Sequence, residues 1–158
     1  MIVEVWTDGA CSRNPGPGGY AAICKFNEKY IAVQGTERES TNQRMEILAV
    51  IEGLDKAYNS FDNFNKIIIY SDSAYVCNCM LQKWYLNWRK NGWKNSKKEP
   101  VANKELWETL LSIKENIESK NIIIEFIKVK GHSDNKMNEK VDKLAVEAYR
   151  RIINDNCD

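Results

Sequence analysis

The chain has 158 residues, 43% hydrophobic and 28% charged, with a formal net charge of +1, which is the profile of one globular domain with a core of its own. No run of about 18 apolar residues is present, and Met1 to Trp6 lack the basic segment and apolar stretch of a signal peptide, so no membrane partner is expected and a cytoplasmic location is. Five cysteines (Cys11, Cys24, Cys77, Cys79 and Cys157) and one histidine, His132, fit reduced thiols in or near a core better than a disulfide framework or a zinc knuckle.

The first eight residues, MIVEVWTD, are rich in β-formers and predict a strand. Ser12 to Gly19 carries two prolines and three glycines and predicts a loop. Tyr20–Phe26 and Tyr30–Thr36 predict two more strands around a short polar turn, which makes the first three an antiparallel meander. Thr41 to Ala57 has apolar residues at Ile47, Val50, Ile51 and Leu54, the spacing of a helix, with Thr41 as N-cap. Lys66–Tyr70 reads as a strand buried on both faces. Residues 73–90 predict one helical stretch, Asn91–Ala102 a loop, Asn103–Glu118 a helix, Ile122–Val129 a strand and Asn138–Ile153 a final helix. No repeat, linker or second domain interrupts 1–158.

Helical crossovers between strands favour parallel, right-handed pairing. The fourth strand can then pack beside the first, parallel to it, and the fifth can extend the sheet on that side. The result is an α/β fold with a five-stranded mixed sheet in the order 3-2-1-4-5, flanked by helices. The chain reverses its winding between strands one and four, where ligands gather beyond the carboxyl ends of strands.

Four acids from distant parts of the chain meet at that edge. Asp8 ends strand one and Asp72 follows strand four. Glu46 sits about 7.5 Å along the helix after strand three, and Asp142 lies four residues into the last helix. One such acid by itself is a turn or surface residue. Four together raise one another's pKa values unless a cation neutralises them. All-oxygen ligation suits magnesium or manganese, and two such ions at about 4 Å activate water and stabilise the leaving oxygen of a phosphodiester.

The stretches TDGACSRNPGPGGYA (7–21), TNQRMEILAV (41–50), YSDSAYV (70–76), NWRKNGWK (87–94) and KGHSDNKMNEKVDKLA (130–145) resemble those of type 1 ribonuclease H, over nearly the whole chain. The resemblance implies the RNase H-like fold and an endonuclease, indifferent to sequence, that hydrolyses the RNA strand of RNA–DNA hybrids with two Mg2+ ions, Mn2+ being a substitute, and leaves 3′-hydroxyl and 5′-phosphate ends. It implies that Asp8 bridges both ions, that Asp142 completes the ion positioning the attacking water, and that Glu46 and Asp72 hold the second ion. His132, in its GH context, is implied to move a proton between water, product phosphate and solvent, as an imidazole titrating near neutrality does. Glu139 is a further, secondary acid.

Lys83 to Lys104 holds seven positive residues and one negative, a net charge of +6 that leaves −5 on the rest, together with three of the five tryptophans. Basic residues interleaved with aromatics suit a nucleic-acid groove; a solvated helix anchored by tryptophans is the plainer reading. By resemblance this segment, about 83–104, is the basic protrusion of the cellular enzymes. Trp84 and Trp88 then line a DNA channel, Tyr75 stacks on a deoxyribose, Ser96 touches DNA backbone, and Lys94, Lys97 and Lys98 read phosphates. Thr41 and Asn103 match a DNA phosphate pocket, in which Glu39 replaces an arginine of some relatives and Arg38 is adjacent. Ala74 replaces a longer side chain.

Asn14, Asn42 and Gln43, with backbone groups near Cys11 and Arg13, are implied to face the minor groove and the RNA 2′-hydroxyls, the group that distinguishes RNA from DNA. Turn and cap chemistry accounts for Asn14 and Asn42 as well. With the first strand starting at Ile2, no separate hybrid-binding domain is expected ahead of it, and a monomer without an obligate protein partner is expected. Two other readings stay open: a non-catalytic hybrid-binding module, and a resolvase or integrase sharing the carboxylate cluster.

Overall fold

The computed structural model describes residues 1–130 and 136–155. Its elements are β1 (Ile2–Cys11), β2 (Gly16–Phe26), β3 (Lys29–Ser40), α1 (Asn42–Ser60), β4 (Lys66–Ser71), α2 (Ala74–Gln82), α3 (Trp84–Lys90), α4 (Lys104–Glu118), β5 (Ile123–Lys128) and α5 (Lys136–Asp155). The strands form one sheet in the order β3-β2-β1-β4-β5. β1–β2 and β2–β3 pair antiparallel, β1–β4 and β4–β5 parallel, as the meander and crossovers predict.

Alternation along β1 divides its side chains between two cores. Val3 and Val5 belong to the larger one with Ile47, Val50 and Leu54 of α1, Ile67 and Ile69 of β4, and Trp107, Leu110 and Leu111 of α4. Trp6 points the other way, into a smaller core with Ala21, Ile23, Val141 and Ala145. That second core is where α5 covers β1 and β2. Cys24, Cys77 and Cys79 are buried free thiols, and burial pushes Cys24 and Cys79 up to about 12, consistent with inert core residues; Cys157 lies outside the described residues.

Three local expectations need correction. The predicted loop at Ser12–Gly19 is shorter, because β2 already begins at Gly16, with a bulge between Gly16 and Gly18 in its pairing with β3. Ladder bonds need backbone rather than apolar side chains, so β1 and β3 also run past their apolar stretches. The helical stretch over 73–90 is divided into two helices, α2 and α3. Lys83 adopts a left-handed conformation (φ 56°) and its N–H bonds to the Cys79 carbonyl, closing α2. This conformation costs about 1 kcal/mol at a non-glycine residue, offset here by packing Tyr85 into the core and Trp88 against Trp107. Among the described residues, no helix is long and apolar enough to cross a membrane.

Candidate active site

The register of the central strands brings the first two acids together. Trp6 of β1 pairs in parallel with Tyr70 of β4. Two residues further along each strand stand Asp8 and Asp72, side by side at the carboxyl edge. Glu46 reaches them from the second turn of α1, which lies unusually close to β1: a β carbon on Gly9 would fall 2.3 Å from the Met45 carbonyl carbon. Only a glycine fits there. One carboxylate oxygen from each of Asp8, Glu46 and Asp72 lies within 4.8 Å of the others.

A second close approach delivers the fourth acid. A β carbon on Gly19 of β2 would fall 2.2 Å from the Ala145 carbonyl oxygen of α5, so helix and strand meet backbone to backbone. The first two turns of α5 then close the site. Asn138, Glu139 and Asp142 line a cavity of about 220 Å³ with Asp8, Gly9, Glu46 and Asp72. The four acids expected to converge do so. Asn138 was not singled out by its residue type, yet it is 5% exposed and lines the same cavity. Its position four residues before Asp142, on the same helix face, was the available signal.

The electrostatics of the cluster are those of a site built for a cation. Asp8 is 4% exposed, and burial followed by the charges of Glu46 and Asp72 pushes its carboxyl up to about 10. Glu46 rises to about 8, chiefly by burial and then by the charge of Asp72. Asp72 is raised too, mainly by burial. The Gly9 N–H donates to Asp8 Oδ1 at 3.0 Å. Glu46 Oε2 is buried with no hydrogen-bond partner among the described residues. A buried, unpartnered carboxylate oxygen facing two more carboxylates is costly without a counter-charge. A hard divalent cation with oxygen ligands satisfies all three. His132 lies outside the described residues.

The residues beside the site bind the fold together with half of their polar atoms. Asn14 Oδ1 accepts from the Asn42 N–H at 3.1 Å, and Asn42 Oδ1 accepts from the Cys11 N–H at 3.1 Å. This docks the turn after β1 onto the start of α1. Both residues are exposed, as are Arg13 and Gln43, while Cys11 is half-buried. The turn and cap chemistry expected of Asn14 and Asn42 is therefore present at two exposed residues.

Thr41 caps α1, its Oγ1 accepting from the Arg44 N–H at 3.2 Å. The Arg44 guanidinium pairs with Glu37 at 3.0 Å and with Glu105 at 2.7 Å, tying β3 and the first turn of α4 to α1. The sequence does not show this clamp, because Glu37 and Arg44 lie on different elements and Glu105 is 61 residues away from Arg44. Asn103 occupies the N-cap of α4 in a left-handed conformation (φ 62°) without a side-chain capping bond.

The basic segment is built around a buried indole. Trp107 is fully buried; its Nε1–H donates to the Tyr75 hydroxyl at 3.1 Å, and Trp88 packs against it at 5.9 Å between ring centroids. Trp84 and Trp93 flank Trp88 at 6.2 and 5.7 Å. Over this anchor, Trp84, Asn87, Trp88, Lys90, Lys94 and Ser96 line a groove of about 430 Å³. Lys97 and Lys98 lie on the exposed turn beyond it, held by Asn95 Oδ1, which accepts from the N–H groups of Lys97 and Glu99. Tryptophan anchoring and a basic groove are thus both present. Tyr75 and Asn103 do not line this groove.

The RNase H family model matches residues 1–150. The ribonuclease H of Thermoanaerobacter sp. (strain X514) is 45% identical over 155 residues, covering 98% of this chain and 94% of that protein. That of Acetivibrio thermocellus is 45% identical over 149 residues, covering 94% and 95%. Among solved structures, LC9-RNase H1, a type 1 RNase H with the type 2 active-site motif, superposes with a TM-score of 0.78 at 25% identity, covering 95% of this chain and 72% of that one. LC11-RNase H1, solved in complex with an RNA/DNA hybrid, superposes with a TM-score of 0.68 at 18% identity, covering 96% and 99%.

Proposed function

The chain belongs to the RNase H family and is an endoribonuclease acting on RNA–DNA hybrids; from that premise we propose that it hydrolyses the RNA strand with two Mg2+ ions, leaving 3′-hydroxyl and 5′-phosphate ends without regard to sequence. The observation that supports this reading best is the convergence of Asp8, Glu46 and Asp72 around the unpartnered Glu46 Oε2. Asp8, central and most buried, would serve both ions, Asp142 would hold the cation that supplies the attacking water, and Glu46 and Asp72 would hold the one that neutralises the leaving oxygen. Divalent cations supply there an activated water and charge neutralisation at the leaving oxygen. His132 moves a proton between attacking water, product phosphate and solvent. Mn2+ substitutes for Mg2+, because both accept oxygen ligands.

Strand choice rests on two surfaces. Asn14, Asn42 and Gln43, with backbone near Cys11 and Arg13, take the RNA 2′-hydroxyls. Tyr75, Trp84 and Trp88 take the DNA strand, with Ser96 on its backbone and Thr41 and Asn103 on one of its phosphates. Lys94, Lys97 and Lys98 add phosphate contacts on the basic protrusion, 83–104. The chain acts as a single domain and a monomer in the cytoplasm. The test is cleavage of matched RNA–DNA, RNA–RNA and DNA–DNA duplexes with and without magnesium. Cutting confined to RNA in the hybrid, and to magnesium or manganese, is expected. Comparable cutting of DNA–DNA favours the resolvase or integrase reading instead.

A further inference from the structure

The carboxylate cluster has a cationic neighbour that no motif marks. Lys128 ends β5 in register with Ser71, the residue immediately before Asp72. The two strand ends are stitched together there. The Val129 N–H donates to the Ser71 carbonyl at 2.8 Å, and the Cys77 thiol of α2 donates to the same carbonyl at 3.7 Å. Alternation along β5 puts Lys128 on the sheet face of Ile124 and Phe126, which pack into the larger core. α1, which carries Glu46, lies over that same face. Asp72 follows Ser71 directly, so Lys128 stands beside the strand end that carries one of the three clustered acids.

We propose that Lys128 is a positioning residue that sets the divalent-cation affinity of the Asp72 side of the site, as a fixed counter-charge against which the cation must bind. This rests on the reading that Asp8, Glu46 and Asp72 hold such a cation. The physics has two parts. With no ion bound, an ammonium beside the cluster offsets part of the repulsion among its carboxylates. With an ion bound, the same ammonium repels it and loosens its hold. The side chain is exposed and sits at a strand end, so a change of charge there leaves the core packing intact.

The experiment is Mn2+ binding to the free protein, read by electron paramagnetic resonance, together with the magnesium concentration that half-saturates cleavage. Lys128→Met removes the charge and keeps the bulk. It is expected to tighten Mn2+ binding about fivefold, the effect of one unit charge on a divalent ion roughly 9 Å away through water, and to lower the half-saturating magnesium concentration in step. Lys128→Arg should restore the wild-type affinity. Lys29→Met, at the exposed start of β3 at the opposite end of the sheet, makes the same change in net charge and should leave Mn2+ affinity as it was. Equal affinities for wild type and Lys128→Met overturn the proposal, as does a Lys128→Arg protein that behaves like Lys128→Met, or a Lys29→Met protein that tightens equally. Asp8→Asn separates the two levels. If Mn2+ binding is unaffected by Asp8→Asn, the carboxylate cluster is not the cation site and the role of Lys128 falls with it. If Asp8→Asn weakens binding and Lys128→Met changes nothing, only the role of Lys128 falls.

Discussion

A β carbon on Gly9 would stand 2.5 Å from the backbone nitrogen of Glu46, so the residue following the buried Asp8 is what lets the glutamate's helix lie against β1. Gly9→Ala forces α1 away from the strand. Overpacking against backbone is expected to cost about 2 kcal/mol, and displacing Glu46 by an ångström to slow cleavage roughly 10²-fold. Thermal unfolding and hybrid cleavage check the two effects. A Gly9→Ala protein with wild-type melting and rate contradicts the tight packing of α1 on β1.

The acid cluster predicts how stability depends on pH. Asp8 moves from an ordinary 3.8 to about 10 on folding, and Glu46 from 4.5 to about 8. Between those limits the folded state binds more protons than the unfolded one, so stability falls as pH rises. Without divalent cation, the melting temperature should drop from about pH 4 upward through the neutral range. Excess magnesium should remove most of that drop, because it binds the ionised cluster of the folded state. Asp8→Asn, which carries no charge at any pH, should flatten the metal-free curve. A wild-type curve that rises through this range without metal contradicts the burial of ionisable acids at the site.

Asp8→Asn should also abolish cleavage while leaving hybrid binding intact or tighter, since the residues proposed to take the two strands are untouched. Binding is measured by fluorescence anisotropy and cleavage by gel. Near wild-type cleavage by the purified variant rules out Asp8 as the shared ligand.

His132→Ala should slow turnover roughly 10²-fold, the usual contribution of general acid–base catalysis, with little change in hybrid affinity. Normal turnover from pH 6 to 9 makes this histidine a bystander and leaves the four acids to act alone.

Neutralising Lys94, Lys97 and Lys98 together should weaken hybrid binding and flatten its dependence on salt, because fewer counterions are released. The preference for RNA–DNA over RNA–RNA and DNA–DNA should persist, since phosphate contacts position a duplex without identifying its strands. Loss of the preference in the triple variant shifts strand discrimination onto the protrusion.

The order of the sheet and the convergence of the acids were legible in the sequence, because both follow from short-range rules. Strand length, helical crossovers and the handedness of strand–helix–strand units allow an arrangement in which Asp8 and Asp72 are neighbours, and periodicity in Thr41–Ala57 places Glu46 on the helix that starts beside them. The resemblance of the GH, SDS and ME segments to one family supplied roles that spacing alone does not.

Other features depend on contacts between residues distant in the chain, and these only the tertiary structure decided. The break at Lys83 is set by where Tyr85 and Trp88 find their partners, which local helix propensity does not record. Arg44 holds Glu37 and Glu105 from two other elements, and its sequence neighbourhood shows only the capping residue Thr41. Asn138 lines the carboxylate cavity because Gly19 lets α5 sink onto β2, and Lys128 stands beside Asp72 because two parallel strands end in register. Sequence periodicity states which face of an element is apolar. How closely two faces approach depends on the volume left between them, and here that volume is determined by two glycines meeting the backbone of two helices.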